Sequence, residues 1–396
     1  LGVVPPFNPS VSLTTFKFAD VLPISKTFAP YCNVGVPTPC TTPAPRGIQP
    51  DARTPTVAEW NLSVEHALSR NMSFRVGYVG SHTYHNLVNV DNNSIVPQIC
   101  SAATCLAGGI GTTTSTVQTG ALYVPVGKRP NPFLGNSFFW QSMGVGNYNA
   151  LQLDLTKRLA SGFSFRGSYT FSKNLDEGTG LNGNTARNQT QEVMIPSKPR
   201  LDYARSALDF NHQTSGNFIY QLPFGRGKRF LSSGSGMADK LVGGWQVNGI
   251  ITHLSGFPIT PVVGSNRSGN GDLRNPDRPS LNPSFQGDPF PHTVTRWFDP
   301  NIYSLPAAGT WGNAGRGSLQ GPGMTNFDFS VFKSTPIRER QTLEFRAEFF
   351  NLFNIVNLGI PNVSIFSSGA ISSTAGRITS TTTDPRQIQF GLRLIF

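Results

Sequence analysis

The residue types that most often carry catalysis are few in this chain, and they stand in none of the spacings that catalytic sites use. Only six histidines occur in 396 residues, and none lies in a Gly-x-Ser-x-Gly or His-Glu-x-x-His setting. Asp209 and His212 come nearest to an acid–base dyad, but an ordinary polar pair at the end of a strand is the favoured interpretation. The sequence therefore predicts a protein that is not an enzyme.

Acidic and glycine-rich segments give no pattern for a metal ion, a phosphate or a cofactor. The segment SGNGDLRNPD holds Asp272 and Asp277, but it lacks the spaced ligands and the closing glutamate of a calcium loop. We expect a glycine-rich surface loop there. The segment GNAGRGSLQGPG opens no helix, so a phosphate cradle is unsupported. It is interpreted as a bend where a long loop re-enters a sheet.

The four cysteines form two close pairs, Cys32 with Cys40 and Cys100 with Cys105. Neither spacing is Cys-x-x-Cys and no histidine pair stands at zinc-ligand distance, so local disulfides in an oxidising compartment are favoured over metal. The chain opens LGVVPPFNPS, without Met or a signal segment, and we expect that an N-terminal part precedes it. No apolar run is long enough for a transmembrane helix.

Charge and composition exclude two further classes of protein. The formal charge is +11, but apart from the segment GRGKRF the basic residues are scattered, whereas a nucleic-acid-binding protein concentrates them in a stripe with a reading motif. GRGKRF is interpreted as a solvated turn. Disorder is excluded by the 29 Phe, 9 Tyr and 5 Trp, which are too many aromatic residues for a solvated coil.

The elements that carry these residues are strands, because apolar and polar residues alternate with a period of two. In NYNALQLDLTKR, Leu151, Leu153 and Leu155 share one face while Gln152 and Asp154 share the other. The alternating segments are about 9–11 residues long, the length of a tilted membrane-crossing strand. The sequence predicts nine strands, at 60–68, 74–78, 151–158, 163–171, 218–224, 245–251, 327–331, 343–349 and 386–396, and a possible tenth at 12–18.

Short turns alternate with long loops along this series of strands. The long loops are predicted at 81–146, 174–205, 258–325 and 355–385. Such lengths are unusual in a soluble domain, but they are the rule in outer-membrane barrels, which have short periplasmic turns and long extracellular loops. A soluble sandwich or propeller is the alternative, and it predicts shorter strands, a more charged surface and no sidedness.

The predicted fold is therefore all-β, a transmembrane antiparallel β-barrel with long extracellular loops and short periplasmic turns. Because no water satisfies an unpaired strand edge in hydrocarbon, the sheet must close. Aromatic side chains near strand ends suit the headgroup level. These residues are Trp60, Tyr148, Tyr169, Phe171, Trp245 and Phe396.

The segments AEWNLSVEHALSRNMSFRVGYVGSH, NYNALQLDLTKRLASGFSFRGSYTFSKNLDE, GPGMTNFDFSVFK and LEFRAEFFNLFN, followed by the terminal RQIQFGLRLIF, resemble in order the C-terminal barrel of Oar-like TonB-dependent outer-membrane receptors. Such receptors have about 22 strands and a plugged lumen, so the chain would supply about the last ten strands. The implied organisation is a partial barrel over 1–396, with a strand and an extracellular loop in 1–56, clear hairpins in 57–396, and no plug or signal peptide.

This resemblance implies a role in energy-coupled uptake or surface handling of a large or scarce ligand. The implied partners are outer-membrane lipid, the unknown ligand, the TonB complex acting through the missing plug, and the barrel-assembly machinery. That machinery would bind the terminal strand by β-augmentation. The residues expected to carry the assembly signal are Phe390, Leu392, Leu394 and Phe396.

Three charged residues on one predicted strand face the wet interior at alternate positions. Glu344, Arg346 and Glu348 could contact a plug or line a substrate path, and salt bridging with neighbouring strands is the favoured interpretation. Two alternatives to transport stay open: a non-transporting surface barrel such as an adhesin or a secretion-related protein, and an outer-membrane hydrolase.

Overall fold

The fold is taken from a computed structural model of the chain. The structure describes residues 30–36, 40–178, 193–232, 236–272, 277–338 and 341–396. The tenth strand predicted at 12–18 lies outside the described residues.

Nine long strands form one antiparallel sheet in which each strand pairs with its neighbours in the chain, so the order in the sheet is the order in the sequence. Each of the nine strands overlaps one of the nine segments that the alternating apolar pattern predicted, so that prediction is confirmed. In chain order they are β1 (Thr56–Ser69), β2 (Met72–Asp91), β3 (Phe138–Ala160), β4 (Phe163–Asp176), β5 (His212–Gln221), β6 (Trp245–Leu254), β7 (Met324–Arg338), β8 (Gln341–Phe350) and β9 (Gln387–Ile395).

The strand register collects the apolar side chains on one face of the sheet and the polar side chains on the other. Because side chains alternate along a strand, one register sorts them over all strands together. Val64, Val76, Leu153 and Tyr169 are neighbours in one row, and Glu65, Arg75, Asp154 and Ser168 form the adjacent row. We call these the apolar face and the polar face. The apolar face also holds Leu62, Leu151, Phe165, Phe218, Val247, Phe329, Phe345 and Phe390.

Two glycines on the apolar face are covered by an aromatic ring from the strand beside them. A Cβ atom added to Gly249 would lie 2.3 Å from the Phe218 ring, and one added to Gly80 would lie 2.3 Å from the Trp60 indole. A ring over a glycine fills the space that a side chain would take and keeps the face continuous. These cross-strand pairs therefore help to fix the register of β5 with β6 and of β1 with β2.

The connections at the two ends of the sheet differ in kind. At one end β3 turns into β4 through Ser161 and Gly162, which both have positive φ (53° and 80°), the combination that a tight two-residue hairpin turn requires. The β5–β6 connection at this end is longer and contains the short helix α1 (Met237–Val242). The connections at the other end are residues 92–137, 177–211, 255–323 and 351–386.

The described parts of these four long connections pack into what we call the loop layer. Its 3-10 helices are Pro199–Asp202 and Pro300–Ile302, and its short strands are Gln98–Ile99, Thr104–Ala107, Ser115–Gln118, Leu122–Tyr123, Ala204–Arg205, Pro258–Ile259, Ser280–Leu281, Tyr303–Ser304, Leu319–Gln320, Phe366–Ser367 and Ala370–Ile371. One more short strand, Arg46–Ile48, pairs parallel to β3. Within the described residues, no helix combines the length and the apolar composition needed to cross a membrane.

Three expectations need correction. The strand predicted at 218–224 ends at Gln221, so Leu222 and Phe224 belong to the connection. Tyr148 pairs with Ser81 and therefore lies on the polar face, because its neighbours Asn147 and Asn149 occupy the apolar-face rows. The first long loop is shorter than 81–146, since β2 extends to Asp91 and β3 begins at Phe138.

Candidate functional site

The loop layer has a hydrophobic core of its own, separate from the sheet. Ile259, Val263, Phe298, Ile365 and Phe366 are its centre, and the first four are 0% exposed. Each large apolar side chain that is fully buried contributes about 1.5–3 kcal/mol. The core joins the β6–β7 and β8–β9 connections, which also exchange backbone hydrogen bonds: the Val262 amide donates to Val363 (2.9 Å) and the Ile365 amide to Val262 (2.8 Å).

Buried arginines join the β6–β7 connection to the end of β4 and to the connection that follows it. Arg316 pairs with the carboxylate of Asp176, and Arg278 pairs with that of Asp202. The arginine side chains are only 2% and 3% exposed. Arg316 also donates to the backbone oxygen of Asp202 at 2.8 Å. Removing one member of a buried pair leaves an uncompensated charge, so these contacts hold the loops in one arrangement.

Two further ion pairs lie in the loop layer. Arg129 lies 3.2 Å from the fully buried carboxylate of Asp91, which also accepts from the Asn136 side chain (2.9 Å). Arg200 lies 3.2 Å from Glu177. The side chains of Asp91 and Glu177 are no more than 1% exposed. The Arg129 side chain is 11% exposed and pairs with Asp91 inside the layer, whereas the Arg200 side chain is 72% exposed and meets Glu177 from the surface.

The described residues of the glycine-rich segment, 268–272 and Asp277, are buried, so the expectation of a surface loop is wrong for them. Asp272 is 2% exposed, Asp277 1% and Ser268 0%. The Asp277 carboxylate accepts from the Ser268 amide (2.7 Å) and hydroxyl (3.1 Å). Burial raises the pKa of Asp277 to about 7, because these hydrogen bonds offset only part of the desolvation. These described residues are buried because the loops pack on one another, and no local sequence pattern indicates such packing.

Asp209 and His212 do not act on one another. The Asp209 carboxylate is 0% exposed and accepts from Arg205 Nε (2.7 Å) and from the Asn174 amide (2.7 Å). His212 Nδ1 instead lies 2.7 Å from the Tyr169 hydroxyl. Asp209 is thus a structural anchor of the loop layer and His212 is part of the apolar face. Across the described ranges, no cluster of three His, Cys, Asp or Glu side chains is arranged to hold a metal ion.

The structure joins the cysteines as two disulfides, Cys32 to Cys40 and Cys100 to Cys105. Cys100 is 1% exposed and packs with Ala107 in a small core cluster of the β2–β3 connection. The second bridge therefore belongs to the interior of the loop layer.

The three charged residues of β8 lie on the polar face. Arg346 lies 3.5 Å from Glu344 on the same strand, and its guanidinium lies 5.2 Å from the centre of the Phe332 ring. Glu348 stands beside Ser330 and Gln389 in the register. Both members of the ion pair are substantially exposed (45% and 30%), so the pair contributes little to stability and its groups stay available to a ligand or to another domain.

The terminal strand β9 presents its alternate apolar side chains outward on the apolar face. Phe390, Leu392, Leu394 and Phe396 are 68%, 70%, 48% and 89% exposed. The Phe390 ring stacks on Phe345 of β8, with centroids 6.3 Å apart. Within the described residues β9 pairs with β8 alone, so its second edge has no strand beside it.

An aromatic cluster on the β6–β7 connection was not predicted from the sequence; Phe290 and His292 in it are exposed, and Trp297 is partly buried against the core of the loop layer. The His292 ring stacks on Phe290 with centroids 6.2 Å apart and lies 4.8 Å from the Trp297 ring. Phe290 is 43% exposed. The sequence FPHTVTRW contains these rings but does not indicate that they meet, because only the turn in the folded loop brings its two ends together. The two exposed rings, backed by Trp297, offer a stacking surface for a sugar or an aromatic ligand.

Comparison with known proteins gives one family match. Residues 1–389 match the family described as outer membrane beta barrel domain. No curated protein sequence matches the chain.

Three solved structures are similar to this chain over part of their length. The outer membrane transporter YddB from Escherichia coli is 9% identical, with a TM-score of 0.41 over 87% of this chain and 33% of its own. The pyoverdine receptor FpvA from Pseudomonas aeruginosa PAO1 is 10% identical (TM-score 0.38, 86% and 30%). The ferric enterobactin receptor PfeA from Pseudomonas aeruginosa is 9% identical, with a TM-score of 0.39 over 86% of this chain and 31% of its own. The chain spans about a third of the length of these proteins.

Proposed function

The chain belongs to the outer membrane beta barrel domain family, and we propose that it forms part of an Oar-like, TonB-dependent receptor that captures a large or scarce ligand and passes it inward. The chain lies in the outer membrane, where its apolar face contacts lipid and its polar face lines the interior. The long connections are extracellular and the short turns are periplasmic.

The observation that carries the proposal is the loop layer. A barrel that only anchors itself in lipid does not need long connections that share a core, as the β6–β7 and β8–β9 connections do, or that are joined by a buried ion pair, as the β4–β5 and β6–β7 connections are. Matched charges such as Arg278 with Asp202 hold the connections in a fixed arrangement above the polar interior. A fixed outer surface is what a receptor needs, because little ordering entropy is then lost when the ligand binds. The aromatic cluster at Phe290, His292 and Trp297 is the proposed contact surface for the ligand.

The proposed barrel contains more strands than the nine described here. In the described residues β1 pairs only with β2, and β9 pairs only with β8. Each outer edge would leave its backbone groups unsatisfied in hydrocarbon. We therefore propose that 57–396 supply the C-terminal hairpins of a larger barrel, that 1–56 supply a strand and an extracellular loop, and that further strands of the same protein close the wall.

Coupling to TonB rests on the Oar-like sequence segments and requires a plug domain. Within the barrel, Glu344, Arg346 and Glu348 are the proposed plug contacts, because they stand exposed on the polar face. Phe390, Leu392 and Leu394 of β9, with Phe396 directly after it, are the proposed contact with the barrel-assembly machinery, since their outward side chains and the free edge of β9 suit β-augmentation.

The test begins with the coding region upstream of Leu1 and continues with the full-length protein. We expect a plug domain with a TonB box, and binding of the purified periplasmic domain of TonB in a pull-down that fails when the box is deleted. A signal peptide directly before Leu1, together with no TonB binding, would refute the proposal and favour a non-transporting surface barrel. Hydrolysis that is lost on replacing Asp209 or His212 by alanine would instead indicate an outer-membrane enzyme.

A further inference from the structure

The periplasmic end of the sheet carries a strong excess of positive charge. We define the periplasmic rim as residues 69–72, 157–163, 222–232, 236–244 and 333–338. Asp239 is the only carboxylate among these described residues. The cations are Arg70, Lys157, Arg158, Arg226, Lys228, Arg229, Lys240, Lys333 and Arg338. In the loop layer, by contrast, arginines and carboxylates pair with one another.

Several rim cations lie over aromatic rings where the apolar face ends. Lys157 Nζ is 4.8 Å from the centre of the Phe163 ring, and Lys333 Nζ is 4.8 Å from that of Trp245. Aromatic rings at this depth occupy the membrane interface. The positive charge therefore stands at the level of the lipid headgroups.

Helix α1 lies directly below this edge of the apolar face. The Trp245 indole nitrogen donates to the Leu241 carbonyl (2.9 Å), and Lys333 Nζ donates to the Gly243 carbonyl (2.7 Å). Met237 and Leu241, one helical turn apart, are 74% and 64% exposed. Two large apolar side chains on one side of a helix, next to a membrane-facing wall, are typical of a segment that lies in the interface.

A groove beside α1 is bordered by cations. Its volume is about 570 Å³, and Arg226, Lys228 and Lys240 are among its lining residues. The single carboxylate here, Asp239, accepts from the Arg226 amide at 2.7 Å, so it is engaged with the backbone. The three cation side chains have no ion-pair partner among the described residues, and all three residues are exposed.

We propose that this part of the rim binds an anionic phospholipid of the periplasmic leaflet. The phosphate lies against Arg226, Lys228 and Lys240, and the acyl chains follow Met237 and Leu241 toward the apolar face. Cations near an anionic membrane surface gain attraction to its headgroups. A soluble anion would account for the cations but not for the exposed apolar residues beside the wall, whereas a phospholipid accounts for both. The bound lipid would fix the height and tilt of the sheet in the membrane.

The test uses the full-length protein in nanodiscs of phosphatidylcholine, doped with brominated phosphatidylglycerol or brominated phosphatidylcholine. Bromine quenches the fluorescence of nearby indole rings. The difference in quenching between the wild type and Trp245→Phe gives the contribution of Trp245. The variant Arg226→Gln/Lys228→Gln/Lys240→Gln removes the three cations. The matched control, Lys128→Gln/Lys198→Gln/Arg377→Gln, removes three exposed cations of the loop layer.

We expect the wild type and the control to prefer phosphatidylglycerol at Trp245. Each cation removed should lower the ratio of phosphatidylglycerol to phosphatidylcholine binding about fivefold, so the rim variant should show a ratio roughly a hundredfold lower. Equal heat-modifiable migration of the three proteins on gels verifies that each barrel is folded. A wild type that quenches equally with both lipids, or a rim variant within about twofold of the control, overturns the proposal. Loss of a co-purifying protein with an unchanged lipid preference also overturns it, and indicates a protein partner for the groove.

Discussion

Asp277 makes the stability of the loop layer depend on pH. Its pKa is raised from an ordinary value of 3.8 to about 7 by burial. Between pH 3.8 and pH 7, Asp277 is protonated in the folded loop layer and ionised in the opened layer. The free energy of opening the layer is therefore highest below about pH 4. It falls as pH rises toward 7 and is constant above. With about 1.4 kcal/mol for each pKa unit, the full change is roughly 4 kcal/mol, about a thousandfold in the opening equilibrium.

The substitution Asp277→Asn removes the titrating group and keeps its hydrogen bonds. The amide oxygen can accept from the Ser268 amide (2.7 Å in the wild type), and the amide nitrogen can donate to the Ser268 hydroxyl (3.1 Å). We therefore expect the variant to be more stable than the wild type at pH 8, by up to roughly 4 kcal/mol, and to show no pH dependence from this site.

Hydrogen exchange of the full-length protein in nanodiscs measures this effect. The reporting amides are Val263, which donates to the Asp277 carbonyl (2.8 Å), and Ser268. After correction for intrinsic exchange rates, wild-type protection should fall between pH 5 and pH 8 and variant protection should stay constant. Asp288→Asn, at an exposed position of the same connection, is the control. Constant wild-type protection, or no gain for Asp277→Asn at pH 8, would refute the reasoning.

Three further changes test other parts of the structure. Arg316→Met leaves the largely buried Asp176 carboxylate without its partner, and we expect the loop layer to lose about 3–5 kcal/mol, measured by the urea dependence of proteolysis in the loops. Gly249→Ala places a methyl group 2.3 Å from the Phe218 ring, and the strain of overpacking, about 1–3 kcal/mol, should lower the temperature of heat-modifiable unfolding. Phe396→Ala truncates an 89% exposed side chain, and we expect less folded barrel in cells without a change in the thermal stability of the barrel that does fold.

Each of these changes has a matched control. Arg296→Met breaks a pair whose arginine is 54% exposed, and a loss equal to that of Arg316→Met would contradict the role of burial. Gly77→Ala meets no atom closer than 3.7 Å and should leave the unfolding temperature unchanged. Phe353→Ala truncates another exposed ring (67%) outside the terminal strand. If it lowered the yield of barrel as much as Phe396→Ala, a specific assembly signal would be refuted.

The sequence was sufficient to predict the sheet because its information is local. Leu151, Leu153 and Leu155 alternate with polar residues within a few positions of one another, and the same period in nine segments predicts nine strands and their two faces. The long and short connections then predict which end of the sheet carries the loops. These features follow from the period-2 geometry of a strand, and they need no knowledge of what packs against what.

The loop layer was decided by tertiary structure alone. Arg316 and Asp176 are 140 residues apart in the chain, and no spacing in the sequence indicates that they form a buried pair. For the same reason Asp277 was expected at the surface and is buried, and Asp209 was considered with His212 but pairs with Arg205. Of the basic residues of the periplasmic rim, those of GRGKRF were interpreted as a solvated turn and the others as scattered, because they come from turns far apart in the sequence that the antiparallel sheet brings to one edge. Alternation along a strand is a property of neighbouring residues, whereas burial and charge pairing depend on residues that only the folded chain brings together.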